Sequence, residues 1–159
     1  MRLELTRRGD YAVRAMLALA QPGRERPTSV REIATLMDIP VAFLPQVMAA
    51  LVRAGLVVSW TGRTGGYLLA RRREAISLLE VIEAVEGDSR RTSCVLRGGP
   101  CGRDGYCSAH GVFRDAQAAM LDRLSGATLA DVALPEEPDP AGRAEGPMVP
   151  MVPTVPNRR

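Results

Sequence analysis

The stretch from Ser29 to Ala70 constrains the fold more than any other part of this 159-residue chain. Ser29 precedes the apolar run VREIATLMD, with Glu32 three residues on. That is a capping box, in which each side chain can answer a backbone N–H left unpaired at a helix start. Asp38-Ile39-Pro40 ends this helix, and the next is expected from about Val41 to Ala54, closed by Gly55 as a left-handed C-cap. Two helices across so tight a turn predict a helix-turn-helix. Pro45 removes one donor near the start of the second, so a slight irregularity is expected there rather than a break. LVVSW (56–60) and GYLLA (66–70) flank the glycine-bearing TGRTG and read as a β-hairpin. A first helix is expected over residues 8–20, capped by Thr6, with an apolar face of Tyr11, Val13, Met16, Leu17 and Leu19. The order helix, helix, turn, helix, hairpin is a winged helix-turn-helix, and the hairpin loop is its wing.

A second capping box, Ser77 with Glu80, opens the helix LLEVIEAVE, which Gly87 ends. A longer helix is expected from about Ala109 to Leu124, with Val112, Phe113, Ala116, Met120 and Leu124 as its apolar stripe, and Thr128 with Asp131 starts a last short turn. From Pro135 onward there are seven prolines and the near-repeat MVPMVPTVP, a tail that cannot bury a core. The expected division is 1–75, a winged-helix DNA-binding domain; 76–134, a loop and a long C-terminal helix; and 135–159, a Pro-rich disordered tail. The fold class is mainly α with a small β-hairpin.

Charge points the front half toward a polyanion. Residues 1–73 carry a net +7 and residues 74–159 a net −4, although the whole chain is only +3. The start of the recognition helix is expected to offer Val41, Ala42, Pro45 and Gln46 to solvent, with Phe43, Leu44, Val47 and Leu51 facing inward. Gln46 is the polar member that can bond a base edge bidentately. Arg63, beside Thr64 at the wing tip, suits a narrow minor groove, and Arg7, Arg8, Ser29 and Arg31 are expected phosphate contacts. No apolar run is long enough to cross a membrane and the start has no signal-like apolar segment, so a cytoplasmic protein is expected.

The span CVLRGGPCGRDGYCSAH holds all three cysteines, Cys94, Cys101 and Cys107, and the only histidine, His110. An odd number of thiols in a reducing compartment argues against a disulfide framework. Gaps of six and five residues are not the close pairs of a structural zinc site. Glycines 98, 99, 102 and 105 give a pliable loop able to wrap something larger than one ion, as thiolates wrap an iron-sulfur cluster. A thiol switch or a zinc-held loop stays open as the alternative. An enzyme using one cysteine with His110 as base is disfavoured, because no oxyanion-type motif or small-molecule substrate pocket signature accompanies the pair.

The opening MRLELTRRGDYAVRAM, the wing segment LVRAGLVVSWTGRTGGYLLARR, and the three cysteines with His110 followed by FRDA and TLADV together resemble the winged-helix iron-sulfur transcriptional repressors that include IscR and NsrR. The resemblance spans about residues 1–134. It implies a homodimer on a double-stranded DNA operator, Cys94, Cys101 and Cys107 as cluster ligands, and residues 76–134 as a cluster-binding loop followed by a long C-terminal dimerisation helix that pairs with its mate. His110 matches the residue that completes a 2Fe-2S site in IscR-like members; Asp10 matches the carboxylate that completes a 4Fe-4S site, from the partner subunit, in NsrR-like members. The first cysteine gap is one residue longer than in IscR. His110 stands one helical turn from Cys107, so both can face one way, which favours it over Asp10.

Overall fold

The computed structural model describes residues 5–62, 65–89 and 109–133. Its helices are α1 (Arg7–Leu19), α2 (Val30–Met37), α3 (Leu44–Arg53), α4 (Leu78–Glu86), α5 (His110–Gly126) and α6 (Leu129–Val132), and the antiparallel strands β1 (Val57–Trp60) and β2 (Gly66–Leu69) follow α3. The register pairs Val57 with Leu69 and Trp60 with Gly66. This is the winged helix expected from the order of signals.

The ends of the helices follow their caps. Thr6 accepts from the Gly9 N–H at 3.1 Å and Ser77 closes a full capping box with Glu80. At α2 only half the box forms. Ser29 accepts from the Glu32 N–H at 3.2 Å, but the Glu32 carboxylate turns instead to Arg24 at 3.1 Å and Arg26 at 2.9 Å. Charge-assisted bonds to two guanidiniums outcompete one backbone donor.

The third helix departs from its expected bounds. Val41–Phe43 forms a 3-10 turn and α3 begins at Leu44, with Pro45 in its first turn, where no N–H is required. The tighter turn rotates Phe43 outward. It is 50% exposed instead of inward-facing, and Met48, fully buried, takes its place in the core beside Leu44, Val47 and Leu51. Phe43 leans on Tyr11 of α1 with ring centroids 5.6 Å apart.

The core lies where α1 crosses α2, α3 and α4. Met16, Ile33, Leu44, Met48, Leu51, Ile76, Val81 and Leu129 are fully enclosed. On α1 the innermost face is Ala12, Ala15, Met16, Ala18 and Leu19, while Tyr11, Val13 and Leu17 are only half-buried. Alanines let α1 approach its neighbours closely, which displaces the larger side chains to the rim.

Two short backbone pairings tie the outer elements down. Thr28 and Tyr67 exchange both N–H···O bonds at 2.9 Å, fixing the hairpin to the start of α2. Leu78 donates to Ala127 at 2.8 Å and Leu129 donates to Ile76 at 2.9 Å, fixing the end of α5 to the base of α4. A side chain at Gly66 would put its Cβ 2.5 Å from the Thr28 oxygen. Gly66→Ala is therefore expected to cost about 2 kcal/mol, read as a lower midpoint in urea unfolding, because backbone must move to make room. Among the described residues no helix is long and apolar enough to cross a membrane.

Candidate DNA interface and ligand set

The DNA-facing candidates divide by element. Val41 and Ala42 are exposed on the 3-10 turn, and Pro45 and Gln46 are exposed on the first turn of α3, so the four share the outward side of the recognition segment. Ser29 and Arg31 are exposed at the start of α2, and Arg7 and Arg8 are exposed at the start of α1. The start of α2 carries the partial positive charge of a helix N-terminus, the environment a phosphate seeks, whereas the start of α1 already faces the Glu86 carboxylate. Arg63 and Thr64 lie outside the described residues; the chain on either side of them is Gly62, whose φ is +124°, and Gly65. Arg24 and Arg26 beside α2 escaped the reading of the sequence. Their signal was present as two arginines close before Glu32.

Cys94, Cys101 and Cys107 lie outside the described residues, but the two feet of their span are placed. Ser89, after α4, donates its N–H to Glu83 at 3.2 Å, and its carbonyl accepts from Gln117 of α5 at 3.2 Å. The chain thus leaves from a point fastened to α5 and returns at Ala109 to enter the same helix. His110 is the first residue of α5, exposed, and its side chain has no hydrogen bond or ion pair to other described residues. Among the described residues no three metal-ligating side chains converge.

Asp10 is held differently. Arg14, one turn later on α1, donates from Nε to Asp10 Oδ1 at 3.1 Å and from Nη2 to Oδ2, so both carboxylate oxygens are engaged. The remaining nitrogen, Nη1, donates to the carbonyls of Met37 at 2.8 Å and Asp38 at 3.3 Å. Asp38 is the left-handed C-cap of α2, with φ of +50°, in the turn of the helix-turn-helix. The guanidinium carbon also lies 5.3 Å from the centre of the Tyr11 ring. The hydrogen bond to Asp10, against the opposing effect of partial burial, holds the Arg14 pKa above its ordinary value. One cation therefore joins Asp10 to the turn that sets the recognition helix. The i,i+4 pair was visible in the sequence, but the carbonyls it reaches were not.

The same end of α1 is fastened to α4. Glu86 accepts from the Thr6 N–H at 3.0 Å and from its hydroxyl at 2.7 Å, and Gly9 leaves room for the carboxylate, since an added Cβ would lie 2.2 Å from Glu86 Oε1. Along α5 no residue is buried within the chain, and Val112 is 71% exposed.

Residues 5–134 match the family model Rrf2, described as an iron-dependent transcriptional regulator. The chain is 33% identical over 130 residues to protein rrf2 of Nitratidesulfovibrio vulgaris, covering 82% of this chain and 87% of that protein. It is 35% identical over 135 residues to the HTH-type transcriptional regulator IscR of Erwinia tasmaniensis, covering 85% and 81%. Among solved structures it superposes on T. potens IscR with a TM-score of 0.67 at 30% identity, over 91% of this chain and 94% of that one. CymR, the global cysteine regulator of B. subtilis, superposes with a TM-score of 0.70 at 28% identity, over 83% and 97%. With the recognition turn, hairpin and long C-terminal helix in this order and the match spanning nearly all of the described fold, the chain belongs to the Rrf2 family of winged-helix, DNA-binding transcription regulators.

Proposed function

We propose that this regulator is a homodimeric repressor acting in the cytoplasm, whose affinity for a double-stranded operator is set by an iron-sulfur cluster held by Cys94, Cys101, Cys107 and His110. Three thiols and an imidazole are a donor set that fits such a cluster. When bound, the cluster supplies a centre that is altered by oxidation, by iron-sulfur supply or by nitric oxide. The observation that carries the choice of fourth ligand is the occupation of Asp10: both its oxygens are bonded to Arg14, while His110 stands exposed and uncommitted among the described residues at the foot of the cysteine span. His110 as ligand favours a 2Fe-2S centre; Asp10 from the partner would favour 4Fe-4S.

The chain's own residues then do the reading. Val41, Ala42, Pro45 and Gln46 meet base edges in the major groove, Arg63 and Thr64 meet the minor groove, and Arg7, Arg8, Ser29 and Arg31 hold phosphates. The span between Ser89 and Ala109 is fastened to α5 at one foot by Gln117 and continues into it at the other, and α4 reaches α1 through Glu86. A change in that span therefore has a covalent and hydrogen-bonded route to both the dimer helix and the winged helix.

A second reading keeps the fold and makes the cysteines a thiol switch. Its support is the likeness to the oxidized form of Staphylococcus aureus CymR, with a TM-score of 0.66 at 25% identity. Three single Cys→Ala variants separate the readings. Shared ligation predicts that each loses iron and sulfide and that all three shift operator affinity by a similar factor, about tenfold. A reversible disulfide predicts that two of the three matter, that the third is silent, and that wild type contains no iron.

A further inference from the structure

The hairpin has two faces and the core uses one. Val57 is buried with Leu69 packed beside it, while Val58 and Trp60 on the opposite face are 41% and 58% exposed. Trp60 is the only tryptophan in a chain of 4% aromatic content. Among the described residues the ring contacts are Tyr11 with Phe43 and Arg14 with Tyr11, and neither covers the indole. An exposed indole beside exposed valine is the kind of patch that marks a contact surface.

Its neighbours indicate what covers it. Trp60 pairs across the hairpin with Gly66, and the position of a Cβ on Gly66 lies 2.5 Å from the Thr28 oxygen and 3.0 Å from the Ser29 nitrogen, at the N-cap of α2. In the other direction the Trp60 carbonyl oxygen lies 2.6 Å from the Cβ position of Gly65, where β2 leaves the wing loop. Trp60 thus sits at the base of the wing, on the outer strand of the hairpin, with β2 between it and the positive end of α2. A winged helix turns both the start of α2 and the wing toward the duplex, so the exposed hairpin face at the wing's base adjoins the DNA-binding surface.

We propose that Trp60 lies on the sugar–phosphate backbone of bound DNA, its ring against a deoxyribose and its Nε1–H donating to a phosphate oxygen. Indole combines the apolar face and the single donor that this position asks for. The contact adds affinity without reading sequence, because sugar and phosphate are the same at every step. It extends the DNA-binding reading and rests on it.

The sole tryptophan makes the test direct. The full-length protein is titrated with an end-labelled duplex enriched by it from a random pool, following label anisotropy and acrylamide quenching of Trp60 in the same cuvette. The expected result is that quenching falls along the binding curve, that Trp60→Ala weakens binding roughly three- to tenfold on enriched and scrambled duplexes alike, and that Trp60→Phe recovers part of the loss. The salt slope stays unchanged for Trp60→Ala and falls for Arg31→Ala, because only the second removes a charge. Anisotropy that rises while quenching stays constant overturns the contact and leaves DNA binding standing; no anisotropy change overturns both. Quenching already suppressed without DNA, with Trp60→Ala altering the oligomeric state, assigns the face to protein and overturns the proposal.

Discussion

Aspartate in place of Ala116 is expected to turn the proposed dimer into a monomer and to weaken operator binding by about a hundredfold or more. The argument starts from α5 itself. It is 17 residues long, yet none of its residues is buried within the chain. Phe113, Met120 and Leu124 are half-buried, whereas Val112 and Ala116, a turn apart along the outer edge of the same stripe, are exposed. A helix of this length gains little from its own hydrogen bonds and needs an apolar surface against it. A second copy supplies the same stripe in reverse, as a two-fold interface requires. In the proposed dimer the small side chain of Ala116 would let the two helices approach closely, and a carboxylate there would meet its mate unpaired and desolvated. Two half-sites would then be bound by separate molecules, and the gain from linking them is lost. Sedimentation velocity beside duplex anisotropy reads both effects. A variant that stays dimeric and binds as wild type would remove α5 from the interface.

Arg14→Ala is expected to cost about 2 kcal/mol of stability and to weaken operator binding by about tenfold. Arg14 spends its fork on Asp10 and its remaining nitrogen on two carbonyls of the turn before α3. Truncation leaves the part-buried Met37 carbonyl without that donor and frees the left-handed Asp38 turn, so the recognition segment loses its fixed angle to α1. Asp10→Ala removes only the carboxylate; Arg14 keeps its carbonyl bonds, and a smaller effect on binding is expected. Urea unfolding and anisotropy on the same preparations check the order. Equal effects from both substitutions would place the coupling in the ion pair and not in the turn.

Much of this architecture was legible in residues with an unambiguous local meaning. Ser77 with Glu80, Thr128 with Asp131 and the glycines around the hairpin each dictate one backbone geometry, and those elements stand within a residue or so of where they were expected. The misplacements have one common cause, competition from elsewhere in the chain. Phe43 reads as core because it is large and apolar, but the 3-10 turn ahead of Pro45 swings it onto Tyr11. Glu32 reads as the second half of a cap, but two arginines claim it. Alanines, which carry little weight in an apolar pattern, decide how α1 packs. For the site, Arg14 shows the same limit: spacing reveals its partner on α1, and only the fold reveals that Met37 and Asp38 arrive beside it. The cysteine span was legible as chemistry, three thiols and an imidazole, while its geometry lies outside the described residues.

The central claim is that His110, with the three cysteines, holds an iron-sulfur cluster. Purification without oxygen, followed by visible absorption and by iron and sulfide counted per chain, tests it on wild type, His110→Ala and Asp10→Ala side by side. The account predicts a coloured wild type with iron and sulfide in equal amounts, loss or a marked spectral change in His110→Ala, and an Asp10→Ala spectrum like that of wild type. A colourless wild type without iron or sulfide would contradict it, and so would a spectrum that Asp10→Ala destroys and His110→Ala leaves intact.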